Sequence, residues 1–171
     1  MTDKRTYQDR FRSMLNTDRL PGDPPPHEVD ADDLEASPGA AFGYLRGIRD
    51  HASCVELRFR NGTSRWFPYS WLGPWQHDPS EGLLLKFSGD LTYLVLIKGS
   101  NLDLPLKAGG SNLTSGGLQR QRVLWIREMT KEEIANIGER APTIDSIEVA
   151  ELESPAEAKE WLQKRAPTFL R

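Results

Sequence analysis

The chain has 171 residues, 37% of them hydrophobic and 27% charged, with a formal net charge of −3, which suits one domain of ordinary size with polar appendages. Its single cysteine, Cys54, excludes an internal disulfide and a two-cysteine metal site within one chain. The run Leu94-Val95-Leu96-Ile97 is far too short for a helical membrane span. The charged start MTDKRTYQDRFR lacks the apolar stretch of a secretory leader, so the expectation is a cytoplasmic protein with no membrane partner.

The charge is unevenly spread. Residues 1–40 carry 5 basic and 9 acidic side chains, residues 41–128 carry 11 and 7, and residues 129–171 carry 6 and 9. A mildly basic centre between acidic flanks reads as solvated, mutually balancing faces. It is too weak a bias to mark a dedicated nucleic-acid binder by composition.

Along the chain, Tyr7, Phe11, Met14 and Leu15 recur at helical spacing, which predicts an amphipathic helix over residues 4–16 in an N-terminal segment 1–20. Residues 21–40 hold five of the twelve prolines and six acids. Fixed φ angles, missing donors and like charges make 21–39 an extended linker. The apolar face of the first helix then either folds back or serves a protein partner. Residues 41–48 fit a short helix with Leu45 and Ile48 on one side, weakened by two glycines.

Strands follow. Val55-Glu56-Leu57-Arg58-Phe59-Arg60 alternates apolar and charged residues, and Asn61-Gly62 predicts a hairpin into a return strand over 64–69. Pro68 cannot donate to a ladder, so that strand belongs at an edge or bulge. A turn over 71–74, a short strand at 75–77, a strand over 83–87 and an apolar strand over 91–97, covered on both faces, complete a small antiparallel barrel-like domain over 40–102. Residues 103–118, rich in Gly, Ser and Asn, form a loop with one helical turn. Residues 119–171 predict an appended strand-helix-strand-helix extension packed on the barrel. Its strands are at 123–126 and 147–149. Its helices open at Thr130-Lys131-Glu132-Glu133 and Ser154-Pro155-Ala156-Glu157, and Gly138 stops the first. The fold class is α+β, mainly β.

The middle of the chain resembles the Sm-like barrel, a family of RNA-binding ring proteins. Val55-Glu56-Leu57-Arg58-Phe59-Arg60-Asn61-Gly62 is similar to its first strand and turn. Asp78, Glu81, Gly82 and Leu83-Leu84-Leu85 stand at similar spacing to the next family stretch, and Leu96-Ile97-Lys98-Gly99-Ser100-Asn101-Leu102 is similar to its second motif. The resemblance covers about a third of the chain. It implies a bent five-stranded sheet and single-stranded RNA binding. The positions that would hold the base carry Glu81 and Gly82 instead, and Lys98 replaces an arginine, so it supports the sheet more than the pocket.

Nothing in the sequence assembles a catalytic set. His27, His51 and His77 lack metal-ligand spacing, and the paired glycines lack a phosphate-loop setting. A thiol enzyme built on Cys54 and His51 is the remote alternative, since the two lie three residues apart. No cofactor and no metal are expected. The unusual feature is aromatic: Trp66, Phe67, Tyr69, Trp71 and Trp75 fall within ten residues, beside Arg58, Arg60 and Arg65. Strand alternation sends neighbours to opposite faces, so part of this set faces outward unless 119–171, with Trp125 and Trp161, covers it. Arg58, Arg60, Arg65, Trp66, Tyr69, Trp71 and Trp75 are the candidate binding surface. The leading expectation is a non-catalytic interaction module: a protein–protein adaptor, a homo-oligomer or a subunit of a larger assembly. The alternative is single-stranded nucleic-acid binding by the same surface.

Overall fold

The computed structural model describes residues 34–35, 40–47 and 49–170. The expected helix with Tyr7, Phe11, Met14 and Leu15, and most of the linker, lie outside these residues. Among the described residues there are nine strands: β1 (Leu34–Glu35), β2 (Phe42–Leu45), β3 (Cys54–Arg58), β4 (Ser64–Pro68), β5 (Gln76–Asp78), β6 (Gly82–Ser88), β7 (Thr92–Ser100), β8 (Val123–Arg127) and β9 (Thr143–Leu152). Among the described residues the α-helices are α1 (Lys131–Asn136) and α2 (Pro155–Arg165).

The strands form two sheets, ordered β1-β2-β8-β3-β4 and β5-β6-β7-β9. All neighbours are antiparallel except β3 and β8. The strands expected to make a five-stranded barrel-like core are divided between these two sheets, and no closed barrel is found among the described residues. Among the described strands, β1 and β4 are edges of the first sheet and β5 and β9 edges of the second. Residues 119–171 do not lie outside the β domain. They supply β8, which separates β2 from β3, and β9, which pairs with β7 along its whole length. Parallel β3 and β8 must be joined by a long crossover, and that crossover runs through β4 and then β5, β6 and β7 of the second sheet.

The short helix expected over 41–48 is instead strand β2. Phe42, Tyr44 and Leu45 are buried, and β2 pairs with β8 through a bulge after Gly43. Trp125 lies across Gly43 so closely that an added Cβ would meet the indole at 2.5 Å. Glycine there costs helix propensity and admits the ring.

The hairpin is present, with a looser turn than a two-residue one. Arg58 pairs with Ser64, Gly62 takes φ +83°, and Asn61 Oδ1 accepts the Thr63 N–H at 3.0 Å. Pro68 ends β4, an edge strand, as its missing N–H requires. The capping box of α1 forms as expected, Thr130 Oγ1 accepting from the Glu133 N–H and Glu133 from the Thr130 N–H. The C-cap is Ile137 in extended conformation, so Gly138 is not needed as a left-handed stop. Ser154 and Pro155 start α2 as expected.

Alternation assigns the layers. Val55, Leu57 and Phe67 of the first sheet face Leu83, Leu85, Phe87, Val95 and Ile97 of the second in one buried cluster. Phe67 stacks on Phe87 at 4.6 Å between centroids and meets Tyr93 edge-on at 5.4 Å. The opposite parity of the second sheet, Leu84, Leu94, Leu96 and Leu152, forms another cluster with Phe169, Ala166 and the α2 residues Ala158, Trp161 and Leu162. β7 is therefore covered on both faces, as its continuous apolar run predicts. Gly82 opens β6 at φ +117°, against the backbone carbonyl of Ile97. No helix among the described residues is long and apolar enough to cross a membrane.

Candidate functional site

Cross-strand register decides which candidate side chains share a face. Trp125, Glu56 and Trp66 are consecutive partners across β8, β3 and β4, so all three stand on the face turned away from the second sheet. Arg58 is two residues on from Glu56 and shares it. Its guanidinium lies 4.7 Å above the centre of the Trp125 ring, and its Nη2 is 2.7 Å from Glu56 Oε2. Burial acts to raise the Glu56 carboxyl. Hydrogen bonds from Arg58 and Ser64 and the Arg58 charge outweigh it and hold the group below the usual glutamate range. Trp66 has no such cover: 62% of its surface is exposed. The result is a flat patch in which an acid, a base and two indoles lie side by side on an uncovered sheet face.

The other candidates do not join this patch. Arg65 pairs with Leu57, whose side chain is in the core, so it stands on the opposite face at the rim of β4. Arg60 follows β3. Its backbone N–H donates to Glu128 Oε2 at 2.8 Å and its Nε lies 3.6 Å from the same oxygen. Tyr69 is buried, with its hydroxyl donating to the Val123 carbonyl at 2.8 Å. Burial pushes that hydroxyl far above the ordinary tyrosine range. Trp71, 36% exposed, lies over Gly89. Trp75 is half-buried against the main core. A single 3₁₀ turn at Tyr69–Trp71 swings the chain off the first sheet after Pro68 and disperses the aromatic run.

Trp125 belongs to the patch although it was expected to help cover the second face. Period-two alternation within β8 gives its parity but not its neighbours, so no local signal pairs it with Glu56. The Cys54–His51 alternative gains no geometry. Cys54 is half-buried opposite Pro68 on the edge of the hairpin, and His51 Nδ1 is 3.0 Å from the Arg120 carbonyl oxygen. Among the described residues no hydrogen bond joins the two, and no cluster of three His, Cys, Asp or Glu side chains is placed to hold a metal.

A second feature is concave. A cleft of about 550 Å³ opens where the ends of β2, the loop before β8 and the start of β8 meet. Four lining residues are cationic: Arg46, Lys107, Arg120 and Arg122. They are spread over almost eighty positions of sequence, so nothing local announces them. No protein-family model, curated protein or solved structure matches this chain.

Proposed function

We propose that the protein is a non-catalytic interaction module that assembles through the outer face and β4 edge of its five-stranded sheet, with a second copy of the chain as partner. The observation that carries this reading is Trp66, 62% exposed on an edge strand. An edge strand offers unpaired backbone donors and acceptors, and an exposed indole beside them supplies the apolar area that such pairing needs. Glu56 and Arg58 stand side by side on the same face, and a two-fold axis sets each acid against the partner's base.

Light scattering after size exclusion tests it. At about 50 μM chain the expected mass is that of two copies, falling to one copy in Trp66→Ala and restored in Trp66→Phe. A one-copy mass at every concentration up to roughly 100 μM, or no response to Trp66→Ala, overturns it.

The stacked pair of Arg58 and Trp125 beside exposed Trp66 favours a second reading, single-stranded nucleic acid laid across the same face. Fluorescence polarisation with a short RNA decides it. Binding that weakens with salt and is lost in Trp66→Ala supports this reading, and absent or salt-independent binding removes it.

A further inference from the structure

We infer that the basic cleft between β2 and β8 is a binding site for a small phosphorylated ligand carrying two or more negative charges. This goes beyond the assembly proposed for the sheet face and involves none of its residues.

The inference starts from Arg122. Only 7% of its surface is exposed, yet among the described residues no carboxylate lies within ion-pairing distance. Arginine stays protonated at any physiological pH, and buried charges are ordinarily neutralised by an opposite charge. Here Nε and Nη2 donate to the Leu45 carbonyl, and Nη2 also to the Arg46 carbonyl at 2.7 Å. The guanidinium sits 5.4 Å from the centre of the Tyr44 ring. These contacts fix its orientation but leave its charge whole.

Nη1 has no hydrogen-bond partner among the described residues. Arg122 lines the cleft, and among the described residues no side-chain nitrogen or oxygen is both sealed from solvent and unpaired. An arginine held in place at the wall of a cavity is suited to grip an oxyanion.

The rest of the lining suits the same ligand. Among the described lining residues none is acidic; Arg120 adds an exposed cation to Arg122, and Arg46 and Lys107, which have interactions of their own, stand at the same wall. The loop is held rather than draped. Ser111 N–H donates to the Tyr44 hydroxyl at 2.9 Å, Asn112 Oδ1 accepts the Gly116 N–H at 2.7 Å, and Asn112 Nδ2 donates to the Asp103 carbonyl at 2.9 Å. Hydroxyl and amide groups of Ser111, Asn112 and Ser115 line the wall. A volume of about 550 Å³ falls within the usual range of small-molecule sites, and so polar a wall favours a hydrated anion over an apolar one.

Isothermal titration of the full chain with pyrophosphate and with inorganic phosphate tests the site at constant ionic strength set with chloride. Saturable binding of pyrophosphate is expected at or below about 1 mM, tighter than that of phosphate. It should weaken at least tenfold in the double variant Lys107→Glu, Arg120→Glu, both of whose side chains are exposed. Arg122→Lys, which keeps the charge but loses the fork, should weaken it too, and Trp66→Ala should leave it unchanged. A melting curve for each variant confirms folding. Absence of saturation by about 10 mM pyrophosphate overturns the inference, as does unaltered affinity in the folded double variant. Binding confined to a ten-nucleotide RNA, with none to pyrophosphate, overturns it as well.

Discussion

The two sheets follow one rule of alternation and meet opposite fates on their outer faces. The second sheet turns Leu84, Leu94, Leu96 and Leu152 outward, and α2 with Phe169 seals them. The first sheet turns Glu56, Arg58, Trp66 and Trp125 outward, and Trp66 stays 62% exposed. Aliphatic side chains without polar atoms require a lid, and the chain supplies one. Indoles beside an ion pair tolerate water while keeping the area and stacking surface that recognition uses. The difference between the faces is one of composition, not of architecture.

Substitutions sharpen this contrast in order of expected effect. Leu96→Ala empties a fully buried site under α2 and should cost about 2–5 kcal/mol in urea unfolding. A loss of a few tenths would mean that the α2 layer is not a true core. Gly82→Ala forces a side chain into φ +117° against the Ile97 carbonyl and should cost about 1–3 kcal/mol by the same measurement. A neutral result would refute the tight start of β6.

An acid titration probes the polar contacts. A hydrogen bond from Arg127, joined by one from the Thr130 N–H, holds the Glu133 carboxyl below its ordinary value of 4.5, against a small opposing effect of burial. A carboxyl lowered in the folded state stabilises fully above its unfolded pKa, and the benefit disappears as pH falls through the folded value. Thermal melts between pH 7 and roughly pH 3 should therefore decline more gently in Glu133→Gln than in the parent. Equal slopes would remove Glu133 from the acid response.

The smallest effect is the most diagnostic. At chain concentrations low enough to leave a single copy, Trp66→Ala should change stability by less than about 0.5 kcal/mol while removing the largest share of acrylamide-accessible tryptophan emission. A loss comparable to that of Leu96→Ala would show the open face to be core.

The parts of the fold readable from sequence were those set by neighbours in the chain. The alternation at 55–58, the turn glycine Gly62, the cap at Thr130 and the start of α2 each rest on a few adjacent residues. The long-range order was not readable. Nothing in Val123–Arg127 says that it will lie between β2 and β3, because a half-buried strand advertises its faces and not its neighbours. The same limit split the candidate site. Trp66 and Arg58 share a face through register, whereas Tyr69 and Trp71, only a few residues on, follow a turn that carries them elsewhere. The cleft was invisible for a related reason: Arg46 is separated from Lys107, Arg120 and Arg122 by five intervening strands, β3 to β7.

Glu128 carries a consequence for how copies of this chain can meet. Its Oε1 accepts the Ile147 N–H at 2.8 Å, and the next backbone N–H, that of Met129, donates to the Ile144 carbonyl at 2.8 Å. The longest of the described strands, β9, is thereby blocked at two points near the start of its free rim by its own chain. A neighbouring polypeptide finds those positions already taken, so fibre-like stacking through β9 is discouraged.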